Sequence, residues 1–143
     1  MYSREETLLL KHEFWIAFAE KYPRKWLLHD TKIKDFSFKF YVDNKKAQVI
    51  IAIENRNIDK RIAYFEKIVA LKNILEEEFI QNLVFEKNFY CDNGKIISQI
   101  WIEKLGVSNS NKNQWNDIFY FFNEKMKLFE AFYEEYEGFI KEI

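Results

Sequence analysis

The clearest pattern along the chain is an alternation of apolar and polar positions between Asp35 and Arg56. Phe36, Phe38, Phe40 and Val42 alternate with Asp35, Ser37, Lys39 and Tyr41. After a polar turn, Ala47, Val49, Ile51 and Ile53 alternate with Gln48, Ile50, Ala52 and Glu54. Successive strand side chains point to opposite faces, so each run predicts a strand with one apolar face. A two-residue turn at Asn44-Lys45 fixes the pairing: Phe36 opposite Ile53, Phe38 opposite Ile51, Phe40 opposite Val49 and Val42 opposite Ala47. A slip of one residue would carry one apolar set to the wrong face, which favours this register.

Helical periods flank this hairpin. Ser3-Arg4-Glu5-Glu6 is a capping box that opens a helix running to about Tyr22, where Pro23 stops it. The connection from Pro23 to Lys34 contains Trp26-Leu27-Leu28, which predicts a short extra strand. Asn57 or Asp59 caps a second helix extending to about Phe79, with Ile62, Phe65, Ile68, Val69, Leu75 and Phe79 on its apolar side. A second hairpin pairs Val84 to Tyr90 with Lys95 to Lys104 across Asp92-Asn93-Gly94, and the Asn-Gly pair predicts a type I′ turn. In its second strand, Ile96, Ser98, Ile100 and Ile102 face one way and Ile97, Gln99, Trp101 and Glu103 the other.

A last helix starts near Gln114 and carries two apolar stripes. Trp115, Ile118, Phe119, Phe122, Met126, Phe129, Tyr133 and Tyr136 form one, and Phe121, Leu128, Phe132 and Phe139 the other. A helix apolar on two sides is covered on two sides, either by its own domain or by a second copy. The order α-β-β-α-β-β-α predicts a single α+β domain over residues 1–143, with a mostly antiparallel sheet of two hairpins and helices packed on it. The strand order within the sheet does not follow from the pattern.

Composition narrows the function classes. With 22 Lys and Arg against 23 Asp and Glu, no global field draws the protein to nucleic acid or to an anionic membrane. A single cysteine, Cys91, forms no disulfide within the chain and suits a reducing compartment. The N-terminal segment is too charged for a signal peptide, and no run approaches the roughly 18 apolar residues of a membrane span. The expectation is a cytoplasmic protein with no membrane partner. His12 and His29 have no companion at zinc-ligand spacing, Cys91 has no histidine at a recognisable offset, and three scattered glycines build no phosphate loop. Tyr41, Tyr90 and Trp101 lie on strands and would suit stacking with single-stranded nucleic acid, which the charge balance disfavours.

One constellation carries chemistry. The hairpin register brings Asp35 opposite Glu54, with Arg56 two residues on. A strand-borne Asp facing Glu-x-Lys is the layout of restriction-endonuclease-like nucleases, where two carboxylates hold Mg²⁺ beside the scissile phosphate. Arg56 stands where Lys would, and since Arg stays protonated it can stabilise charge but not act as a base. Asp35, Glu54 and Arg56 are therefore the catalytic candidates, and Asp35 and Glu54 the metal candidates. The competing reading is a solvated face on which Lys34, Lys39 and Arg56 offset the acids. Asp43 does not belong to the group: eleven residues at ~3.3 Å each put it roughly 36 Å from Glu54 along the strand.

The chain also resembles an uncharacterised bacterial family catalogued as domain of unknown function 4268. The resemblance runs through Met1-Tyr2-Ser3-Arg4-Glu5-Glu6, Glu13 to Phe18, Lys34 to Phe38, Phe65, Leu71-Lys72-Asn73, Gly94-Lys95, Trp115 and Phe121-Phe122. The chain departs from that pattern between Tyr22 and Thr31, where it is shorter. The resemblance implies small stand-alone proteins or appendages of larger chains, some nuclease-like, with no established activity and no catalytic residues to carry over. Two expectations follow. One is a non-enzymatic binding or assembly module without cofactor, homo-oligomeric through the C-terminal helix. The alternative is a Mg²⁺-dependent or degenerate nuclease that acts on nucleic acid.

Overall fold

The computed structural model describes residues 2–143. Helix α1 (Arg4–Lys21) is followed by strands β1 (Phe36–Val42) and β2 (Lys46–Ile53), helices α2 (Ile58–Ala70) and α3 (Lys72–Glu78), strands β3 (Val84–Tyr90) and β4 (Ile96–Leu105), and helix α4 (Trp115–Lys141). A single 3-10 turn (Lys112–Gln114) leads into α4. The fold is α+β, with one antiparallel sheet in the order β1-β2-β4-β3. No helix among the described residues is long and apolar enough to cross a membrane.

Local chemistry sets the boundaries. The Ser3 hydroxyl accepts from Glu6 N–H at 3.1 Å, and Asn57 Oδ1 accepts from Lys60 N–H at 3.1 Å, so each helix start satisfies one of its free amides. The register of β1 against β2 is the one expected, Phe36 with Ile53 through Val42 with Ala47. Asp43 ties the turn, accepting from the amides of Lys45 at 2.8 Å and Lys46 at 2.9 Å.

Three expectations need correction. Trp26-Leu27-Leu28 form no strand; the segment is irregular but docked, with Trp26 stacked on Phe18 and Leu28 C=O accepting from Phe38 N–H at 3.0 Å. The second helix breaks at Leu71, where ψ turns to 7°, so α3 packs Leu75 into the core along its own direction. The second turn is not type I′. Only Gly94, at φ +85°, is left-handed, and Gly94 N–H donates to Cys91 C=O at 2.9 Å. This is a three-residue loop closed by a left-handed glycine, the next commonest hairpin solution.

All the helices lie on one face of the sheet. Phe36, Phe38, Val49, Ile51, Ile53, Ile100 and Ile102 meet them in one continuous core. Helix α4 packs its first stripe on the sheet and on α1: Phe122 lies 4.9 Å from Phe40 and Phe129 lies 6.2 Å from Phe38, ring centre to ring centre. Much of its second stripe is covered by its own chain. Phe121 and Phe132 are buried, Phe132 against Phe79 at 5.6 Å, and Leu128 is half-buried. Phe139 remains 40% exposed beneath the Lys67 ammonium. Two-sided burial of α4 is thus achieved largely within the domain.

Candidate binding cleft on the open face of the sheet

Asp35 and Glu54 become backbone neighbours, with Glu54 N–H donating to Asp35 C=O at 2.7 Å. Their carboxylates have different surroundings. Glu54 lies on the helix-free face and accepts from Lys39 Nζ at 2.8 Å and Lys95 Nζ at 3.4 Å. Burial alone would raise its pKa, but the two ammonium groups outweigh burial and hold the carboxyl below its ordinary value. Asp35, exposed and at φ +62°, instead lines a cleft of about 490 Å³ at the start of α2. Lys34, Asn55, Arg56, Asn57 and Lys60 complete that lining, and Glu54 does not contribute to it. Asn55 donates its amide to Lys34 C=O at 3.1 Å, while its Oδ1 is buried with no donor. The structure therefore brings Asp35 and Arg56 together and leaves Glu54 with its lysines.

The sheet's other face holds a larger cleft. A second apolar cluster lies there: Ile50, Ala52, Ile97 and Trp101, covered by Phe89 and Cys91. How Phe89 reaches this face follows from the pairing of β3 with β4. Phe85 pairs with Ile100 and Glu86 with Gln99, but Phe89 pairs with Ile97. Two residues, Lys87 and Asn88, therefore oppose the single residue Ser98. An uninterrupted strand would point Phe85 and Phe89 to the same side, and the extra residue reverses the parity. Phe85 joins the helix-side core while Phe89 crosses to the open face, 5.7 Å from Trp101 in an edge-to-face arrangement.

Arg61 holds this bulge from α2. It is only 4% exposed. Its guanidinium donates to Lys87 C=O at 2.5 Å, Ser98 Oγ at 2.8 Å and Asn88 Oδ1 at 3.0 Å. Ser98 Oγ in turn donates to Lys87 C=O at 2.7 Å. The planar fork of Arg suits three divergent acceptors that a lysine could not span.

The resulting cleft encloses about 560 Å³. Tyr41, Phe89 and Trp101 supply aromatic surface, and Gln48, Gln99 and Glu103 supply polar groups. Glu103 Oε1 accepts from Gln48 Nε2 at 2.9 Å and from Trp101 Nε1 at 3.0 Å. The Gln48 bond, with those of Trp101 and the charge of Lys46, keeps Glu103 below its ordinary pKa against the opposing effect of burial. Tyr41 donates to Asp43 Oδ2 at 2.9 Å. That bond, partial burial and the negative charges of Asp43 and Asp92 raise the Tyr41 phenol. The alternation along β4 puts Gln99, Trp101 and Glu103 on one face, but the cleft does not follow from it. Its outer wall depends on the bulge, and Glu86-Lys87-Asn88 is polar in either register.

Fold and cleft together define a two-layer α+β domain with helices on one side of its sheet and a part-aromatic cleft on the other. The chain belongs to the family described as Domain of unknown function (DUF4268), whose model matches residues 10–137. No curated protein and no solved structure matches the chain.

Proposed function

We propose that the protein is a non-enzymatic binding module and that its ligand seats in the cleft on the open face of the sheet. The observation that supports this most is the bulge at Lys87-Asn88, which moves an aromatic side chain out of the core to wall a cavity. Pockets that bind ligands combine apolar lining with a few fixed polar groups, and this cavity does so. The reading does not require a second copy, because of the second-stripe residues on α4 only Phe139 stays exposed. A fragment screen followed by amide and side-chain NMR of the full chain tests it. Hits should shift signals of Gln48, Gln99 and Trp101. Hits confined to residues away from this face would refute it.

A second reading has its own support. Asp35 and Asn55 line one cleft, with Lys34, Arg56 and Lys60 around them for a phosphate, and Asn55 Oδ1, buried without a hydrogen-bond partner among the described residues, would have to turn outward to join Asp35 as an oxygen ligand. This is the nuclease alternative with Asn55 in the ligand position expected of Glu54. Mn²⁺ titration should then broaden the NMR signals of Asp35 and Asn55 selectively, and uniform broadening across the chain would sink the idea.

A further inference from the structure

The polar groups of the open-face cleft say what kind of ligand it accepts. Gln99 is 6% exposed and lines the cavity, yet its amide makes no hydrogen bond among the described residues. The amide is not a buried orphan, since it is open to water in the cleft, so a ligand atom can take the place of that water without breaking a bond inside the protein. Its cross-strand neighbours are Ala52 and Glu86, and Ala52 can offer it no side-chain partner. Around it the charge is predominantly negative. Of the charged groups that line the cleft, Glu103 and Asp92 are acidic and Lys46 basic; just outside the lining, Asp43 stands behind Tyr41, and Lys39, across from Ile50, is neutralised by Glu54. Aromatic faces attract cations through their ring quadrupoles, and Trp101, Phe89 and Tyr41 surround the same space.

We propose that the cleft binds an organic cation, an ammonium or guanidinium group on an apolar stem. The stem lies against Phe89, Ile50 and Trp101, the Gln99 carbonyl accepts one N–H of the head, and Glu103 supplies the opposing charge. The head comes from a free polyamine or from a Lys or Arg side chain of a partner. This inference rests on the cleft being the binding site, and the experiment separates the two claims.

The full-length protein is titrated with spermidine, with an Arg- and Lys-bearing peptide, and with fully acetylated spermidine. The readouts are the Gln99 side-chain NH₂ and Trp101 Nε1–H signals. Millimolar spermidine or peptide should shift both signals, and acetylated spermidine should shift neither. Binding of spermidine alone supports a free amine, binding of the peptide alone supports a partner's side chain, and binding of both supports recognition of the head group by itself. Gln99→Leu, which removes one hydrogen bond to a charged group, and Glu103→Gln, which removes the opposing charge, each checked for native fold by circular dichroism, should each weaken binding about tenfold. Equal binding of the acetylated compound overturns the proposal. So does the absence of any shift with both cations. If neutral fragments still move the cleft signals, the binding-module reading survives this failure; if no fragment does, both fall.

Discussion

Replacing Arg61 by Met tests whether the bulge, and with it the outer wall of the cleft, is held from α2. The Met side chain keeps most of the stem volume and removes the fork. Three hydrogen bonds from a charged group disappear, each contributing about 1.5–3 kcal/mol. Against this, the guanidinium is buried with no carboxylate at salt-bridge distance, and relieving that desolvation returns several kcal/mol. Lys87 C=O keeps its donor, Ser98 Oγ, whereas Asn88 Oδ1 loses its own. The net loss should be about 2–3 kcal/mol, which for a chain of this size lowers the melting temperature by roughly 6–9 °C. A local effect should accompany it. Without the pin, β3 reverts toward regular pairing, and Phe89 leaves the open face. Hydrogen exchange should accelerate selectively over Glu86 to Tyr90, and NOEs between Phe89 and Trp101 should vanish. Arg61→Lys keeps the charge but not the fork and should fall between Met and the native residue. A Met variant within about 0.5 kcal/mol of native that retains the Phe89–Trp101 NOEs would refute the reasoning.

Other expectations follow from the same geometry. Glu130 is 5% exposed and accepts from Arg24 Nη2 at 2.7 Å and Leu27 N–H at 2.6 Å; Glu130→Ala should cost about 2–3 kcal/mol in urea unfolding and admit protease between Tyr22 and Asp35. An unchanged cleavage rate there would contradict this. Glu54 has a folded-state pKa below its ordinary 4.5, so the unfolded chain takes up the proton first as pH falls. The ion pairs' stabilisation is therefore present above that value and is lost as pH drops below it. Glu54→Gln should flatten the fall in stability between about pH 5 and pH 3, and parallel profiles would refute the assignment. At Gly94 the φ of +85° strains any L side chain although nothing lies within 4 Å of an added Cβ; Gly94→Ala should cost about 1 kcal/mol by thermal unfolding, and a neutral result would mean that the turn rearranges.

Where residue pattern and geometry coincide, the fold was legible. The first hairpin could be registered from its letters because a two-residue turn and strict alternation admit one pairing. Helix starts were legible because Ser3 and Asn57 carry the capping chemistry themselves. The break at Leu71 was not, since Ala70-Leu71-Lys72 contains no helix breaker and the chain turns there to bury Leu75. The β3 bulge was hidden for another reason: the residue that stabilises it, Arg61, is 26 positions away from Lys87, and a charged helix residue gives no sign in the sequence that it is buried. Of the sequence-derived candidates, the register correctly made Asp35 and Glu54 neighbours. It could not show that Asp35 takes a left-handed φ of +62° and lines a different cleft, nor that Lys95 pairs with Glu54, because Lys95 comes from a hairpin whose place in the sheet was unknown.

The docked connection between α1 and β1 bears on how an exposed strand edge is covered. β1 is an edge strand with the run Phe-Ser-Phe-Lys-Phe-Tyr-Val, rich in aromatics and carrying one charge, and such runs pair readily with other chains. Its outward N–H at Phe38 is taken by Leu28, and its outward C=O at Phe36 by the Thr31 hydroxyl at 2.6 Å. Tyr133 OH donates to Thr31 C=O, and Glu130 secures Leu27, so helix α4 clamps the cover in place. Lifting that cover does not require global unfolding, and it bares the segment of this chain best suited to start an intermolecular sheet. Conditions or substitutions that loosen Glu130 should therefore be met first as aggregation of an otherwise folded protein.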